Sequence, residues 1–168
     1  EDAANLEKGG KQIRALIEGA KVPDDISQDI ARRYAELESR AGKNLLVSVR
    51  SSATAEDLPG TSFAGQQDTY LNVHGIDSVL AHVKRCWASL WTDRAIAYRQ
   101  RQGFKHEDVL LAVVVQEMFP SEVAGVLFTA NPVTSNPDEM MLNTSWGLGE
   151  AIVSGRVNPD QYIVRKKG

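Results

Sequence analysis

Apolar positions change their spacing several times along this chain, and each change marks an element. Leu6, Ile13, Leu16 and Ile17 fall on one face of an N-terminal helix. Gly9 and Gly10 weaken that helix by about 1 kcal/mol each relative to alanine. A second helix is predicted after Pro23, with Asp24 and Asp25 at the positive end of its dipole. Ile26, Ile30, Tyr34, Leu37 and Ala41 are expected to form its buried stripe, and Gly42 ends it. The run Leu45–Val49 then reads as a strand that delivers Arg50 to its end, and Thr69–Val73 reads as a second short strand. From Ile76 to Tyr98 the three- and four-residue helical spacing returns, with Thr92-Asp93 placed to cap a second segment.

The last third of the chain has strand character. Val109–Met118, VLLAVVVQEM, is rich in β-branched residues, is bounded by Phe119-Pro120, and is expected to be buried on both faces. Strands are also predicted over Ala124–Ala130, Glu139–Trp146 and Asp160–Val164. Between the last two, WGLGE turns into a short helix ending near Gly155, which makes either an anion-holding helix start or a plain tight turn. The order of elements predicts an α+β fold with a mixed or antiparallel sheet and flanking helices.

Chemistry concentrates between the first two strands. Arg50 is followed by Ser51, Ser52 and Thr54, a turn at Pro59-Gly60, and the segment SFAGQQDT around Gly65. An arginine offers a fixed fork of donors, and glycine lets backbone N–H groups approach an anion, so this hairpin suits a phosphate chain. An ordinary loop with self-satisfied hydroxyls and a surface ion pair at Arg50 is the alternative. Gln116 and Met118 stand where the apolar run of residues 109–118 breaks: together they offer a polar edge and an apolar wall for a purine, or Gln116 merely points to solvent at a strand end, which the local pattern by itself favours. Elsewhere the signals are weaker. Gly9-Gly10-Lys11 lacks the earlier glycine and the following Ser or Thr of a P-loop, and the glycines of WGLGE lack the third member of a dinucleotide fingerprint. Trp87 and Trp91 follow helical spacing and are read as packing.

Composition removes several classes. With 19 Lys and Arg against 22 Asp and Glu, the net charge is −3, and no basic stripe argues for nucleic acid or an anionic membrane as partner. No apolar run approaches the roughly 18 residues of a membrane helix. The single cysteine, Cys86, excludes an internal disulfide and a multi-cysteine metal site. The chain opens without a methionine or a signal-peptide pattern, inside a helical pattern, so a cytoplasmic fragment of a longer protein is expected.

The string RSSATAEDLPGTSFAGQQDTYLN resembles the signature of the N-terminal nucleotide-binding domain of phosphoenolpyruvate synthases and pyruvate phosphate dikinases, which rifampin phosphotransferases share. GVLFTANP and SWGLGEAIVSGRVNPD resemble the same family, so the likeness covers roughly residues 15–165. The resemblance implies a partial ATP-grasp-like domain over residues 1–168, a helical segment at 1–42 followed by a nucleotide-binding core at 43–168. By the same resemblance, Arg50 corresponds to the arginine that holds the phosphates. Gly65, Gln67 and Thr69 correspond to the loop over the phosphate chain, where the dikinase branch carries methionines in place of Gln66-Gln67. Gln116 corresponds to a nucleotide-contacting position, and Met118 to a residue lining the adenine pocket.

The resemblance also implies what must come from elsewhere. A phosphate-binding lysine is expected upstream, and a carboxylate for Mg2+ and a second arginine downstream. The phosphohistidine is expected on a swivelling domain of the same polypeptide, and acceptor selection on another. His74, His82 and His106 follow Val73, Ala81 and Lys105, and so lack the preceding Ser or Thr of the phosphohistidine segment. The implied reaction moves a phosphoryl group from ATP to histidine, with release of AMP and phosphate, and then to pyruvate or to rifampin. A nucleotide-binding module without catalysis is the rival reading.

Overall fold

A computed structural model describes residues 2–53 and 68–166 of the protein, without the side chains of residues 2–4. The chain falls into two compact units, Glu1–Met118 and Phe119–Gly168.

The first unit is a three-stranded antiparallel sheet backed by helices. Helices α1 (Asp2–Gly19) and α2 (Asp24–Ala41) precede β1 (Val47–Ala53) and β2 (Thr69–Val73). Helices α3 (Ile76–Ser89) and α4 (Asp93–Gln102) follow, and β3 (Leu111–Glu117) closes the unit after a single 3-10 turn at His106–Asp108. The strand order is β2-β1-β3. The core lies between this sheet and α3: Val47, Val49 and Val73 meet Val79, Val83 and Cys86, and Tyr34 and Leu45 close one end. Tyr34 fastens three elements, since its hydroxyl accepts from the Gly75 N–H at 2.9 Å and donates to the Leu45 carbonyl at 3.4 Å. The break between α3 and α4 has its expected cap, because Thr92 Oγ1 accepts from the Ala95 N–H.

Helix α1 packs on α3 and α4 through a narrower face than its leucines suggest. Leu16 is 73% exposed, whereas Gly10 is buried. The Trp91 carbonyl lies 2.6 Å from where a Gly10 side chain would begin, so a bare backbone is what permits the approach. Arg14, one turn on, donates to that same carbonyl at 2.6 Å and lies 3.6 Å from Asp93. Lys84 of α3 donates to the Glu18 and Ala20 carbonyls and so satisfies the C-terminal end of α1.

The second unit is another three-stranded antiparallel sheet, of order β4-β5-β6, formed by β4 (Val123–Phe128), β5 (Glu139–Trp146) and β6 (Asp160–Arg165). Between β5 and β6 lies α5 (Glu150–Val153), a helix of four residues. Asn131 is buried and holds the β4–β5 connection: its Oδ1 accepts from the Val133 and Thr134 N–H groups, and its Nδ2 donates to Glu139. The two sheets and the flanking helices bear out the α+β class, and both sheets are antiparallel throughout.

Three expectations are corrected here. The stripe of α2 is not buried at its two ends, where Ile26 and Ala41 are exposed. β1 does not stop at Arg50 but continues to Ala53, because β3 supplies partners as far as Ala53↔Leu111. β3 is not buried on both faces: its burial alternates, and Val114 is 47% exposed. Pairing, not side-chain type, sets where β1 ends, and helices cover only one side of the sheet, which leaves alternate residues of β3 exposed.

Candidate functional site

Alternation along β1 sorts its side chains into two sets. Val47, Val49 and Ala53 are buried toward α3, and the intervening Arg50 and Ser52 are exposed on the opposite face, with Ser48 between strands on that same side. Register then decides what stands beside Arg50. Thr69 of β2 is its neighbour on one side and Val114 of β3 on the other. Two residues along, Gln116 pairs with Ser48. The Met118 N–H donates to the Leu46 carbonyl at 2.8 Å, which carries the β1–β3 ladder one step further. Arg50, Thr69, Gln116 and Met118 therefore line up on one side of a single sheet.

Arg50 is exposed, and no carboxylate among the described residues pairs with it. A guanidinium carries five N–H donors in a fixed fork. Thr69, Ala112, Val114 and Gln116 are exposed with it. Ser51 is committed elsewhere: its N–H and its Oγ both donate to the Asp68 carbonyl, at 3.3 and 3.1 Å. This clasp draws residues 51 and 68 together at the base of the connection between β1 and β2. Gly65 and Gln67, expected over the phosphate chain, lie outside the described residues, as does Thr54.

A bulge shapes the Thr69 side. Between Val47↔Val73 and Val49↔Tyr70 the second strand holds one extra residue, and Asn72 there takes a positive φ of 56°. The bulge lets Thr69 face outward with Arg50 while Val73 still faces the core.

Directly behind Arg50 the sheet is dry. Cys86 Sγ lies 3.9 Å from the Val49 carbonyl, and burial, helped by the charge of Asp68, pushes its thiol up to about 12. Tyr70, which donates to Asp68 Oδ2 at 3.0 Å, is likewise raised, by burial first and then by that hydrogen bond. Neither group is set up as an acid or base near neutral pH. Arg99 is buried under Trp91, with its Nε donating to His106 Nδ1 at 2.9 Å, and it braces the turn that leads into β3.

WGLGE forms a turn into α5, a helix of only four residues, and Gly147, at φ 80°, serves the bend. Among the described residues no three His, Cys, Asp or Glu side chains converge as metal ligands. Also among them, no helix is long and apolar enough to cross a membrane. The sequence reading named Ser52 beside Arg50 but missed Val114 as a member of the exposed face, which needed the register.

The full length of the chain, residues 1–168, matches the family model described as pyruvate phosphate dikinase, AMP/ATP-binding domain. It is 58% identical over 167 residues to a probable phosphoenolpyruvate synthase of Pyrococcus horikoshii, covering 99% of this chain and 20% of that protein. It is 57% identical over 167 residues to the phosphoenolpyruvate synthase of Pyrococcus furiosus, with the same coverage of 99% and 20%. A rifampicin phosphotransferase of Bacillus cereus is 51% identical over 156 residues, covering 93% of this chain and 18% of that protein. The chain thus spans about a fifth of the length of the curated relatives it matches.

Proposed function

Since the chain belongs to the pyruvate phosphate dikinase AMP/ATP-binding domain family, we propose that the exposed face of the β2-β1-β3 sheet holds ATP for phosphoryl transfer by a larger polypeptide. The observation that carries this is the alignment in one register of Arg50 with Thr69 and, two residues on, with Gln116. Arg50 grips phosphate oxygens through its fork, Thr69 donates a hydroxyl beside it, and Gln116 with Met118 meets the purine at the end of β3. Gly65 and Gln67 cover the phosphate chain from the intervening segment. Both units belong to one ATP-grasp-like domain in a cytoplasmic enzyme, completed by lobes outside these residues.

The protein's own contribution to the reaction is electrostatic. A guanidinium already positioned on a rigid sheet neutralises charge on the transferring group without reorganising during the step. Mg2+ shares that task when bound, on ligands outside this segment. Both phosphoanhydride bonds of ATP are broken: one phosphoryl group passes to a histidine on a swivelling domain of the same polypeptide and then to pyruvate, the other passes to water and leaves as phosphate, and AMP is released. Rifampicin is the second candidate acceptor, favoured by the 51% identity to a rifampicin phosphotransferase. Acceptor-dependent AMP formation by the full-length protein, wild type against Arg50→Ala, tests the reading. Equal rates in the two proteins would remove the sheet face as the ATP site.

A further inference from the structure

The exposed face of the first sheet is divided by chemistry. Toward β2 it carries Arg50, Ser52 and Thr69; along β3 it carries Ala112 and Val114, and Leu46 stands opposite Met118 at the far end. Val114 sits at the seam as the direct cross-strand neighbour of Arg50, and it lies one same-face step before Gln116. Side chains two residues apart on a strand stand about 7 Å from each other, close to the distance separating the sugar of a nucleotide from the edge of its base. A β-branched side chain 47% exposed in mid-strand, between a phosphate fork and a purine contact, has an apolar surface and no partner for it among the described residues.

We infer that Val114 is a specificity-determining residue, the apolar floor under the nucleoside of the bound nucleotide. This rests on the reading of the sheet face as the ATP site. Arg50 cannot tell a nucleotide from any other polyphosphate, because it sees only phosphate oxygens. Val114 rewards a ligand that carries a sugar and a base next to its phosphates, since only such a ligand dries the side chain. The floor is rigid because β1 pairs with β3 along the whole of β3, so the apolar and cationic halves keep a fixed spacing.

The test uses the full-length protein and a non-hydrolysable ATP analogue, titrated calorimetrically over a series of salt concentrations. Val114→Thr keeps the branched shape and so the strand, but places a hydroxyl under the nucleoside; it is expected to weaken the analogue about tenfold. The loss should be the same at every salt concentration, because no charge has changed. Val114→Leu keeps the apolar character and is expected to bind within about twofold of wild type. Arg50→Ala should weaken binding most at low salt and flatten its salt dependence. If Arg50→Ala behaves this way while Val114→Thr binds like wild type, or Val114→Leu loses as much as Val114→Thr, the floor assignment is wrong and the ATP site stands. If Arg50→Ala binds like wild type, the site itself is misplaced and the floor falls with it.

Discussion

An exposed arginine in mid-strand, with no carboxylate beside it among the described residues, contributes little to folding, so its value must be read in turnover. Arg50→Ala is expected to change stability by no more than about 0.5 kcal/mol. Loss of a charge-assisted bidentate contact should slow acceptor-dependent AMP formation by on the order of a hundredfold or more. Arg50→Lys should recover part of that rate, because an ammonium keeps the charge but not the fork. Steady-state kinetics beside a thermal melt separates the two effects. On the buried side of the same strand, the Cys86 thiol is raised from its ordinary 9.0 to about 12. A group raised in the folded state lends stability that is complete below its unfolded value and is lost as pH climbs toward the folded one. Urea unfolding should therefore show stability falling between pH 9 and about 12, with Tyr70, raised by the same burial, acting in the same direction. The fall should be shallower in Cys86→Ala; parallel curves would show that the thiol stays solvated.

Helix α1 carries two adjacent glycines, and the fold gives them opposite meanings. Nothing lies within 4 Å of a side chain built at Gly9, whereas at Gly10 the Trp91 carbonyl stands 2.6 Å away. Gly9→Ala should stabilise the protein by about 1 kcal/mol through helix propensity alone. Gly10→Ala gains the same propensity but forces α1 off the elbow between α3 and α4, and a net loss of about 1–2 kcal/mol is expected. Paired thermal melts in one buffer decide the matter: a rise for both variants would mean that α1 does not seat on Trp91. Local patterning foresaw α1 as a helix but set its buried face by leucine and isoleucine. The face in contact is chosen by Gly10 and Arg14, whose neighbours are about eighty residues away in sequence.

For the molecule as a whole, the proposed reaction needs a histidine carrier and an acceptor site besides a nucleotide face. On the proposed function, the 168 residues alone are expected to form no AMP coupled to pyruvate or to rifampicin, and the full-length protein is expected to form it with its acceptor. Coupled assays on both, at equal molar concentration, check this; turnover by the isolated segment would mean that it holds a phosphoryl carrier of its own.

Much was legible before any coordinates. The bounds of β2 at Thr69–Val73 and β5 at Glu139–Trp146, the cap at Thr92, and the α+β order all follow from period, turn chemistry and capping, which act over a few residues. The string from Arg50 to Asn72 carried the family, because a long contiguous pattern needs no geometry to be recognised. Tertiary structure alone decided that Arg50 lies inside β1, that β3 is covered on one face only, and that Val114 stands between the cation and Gln116. Those facts depend on cross-strand register and on which side α3 covers. Both rest on contacts between elements far apart in sequence, such as Val49 with Cys86 and Arg50 with Val114, and no local pattern of polar and apolar residues records them.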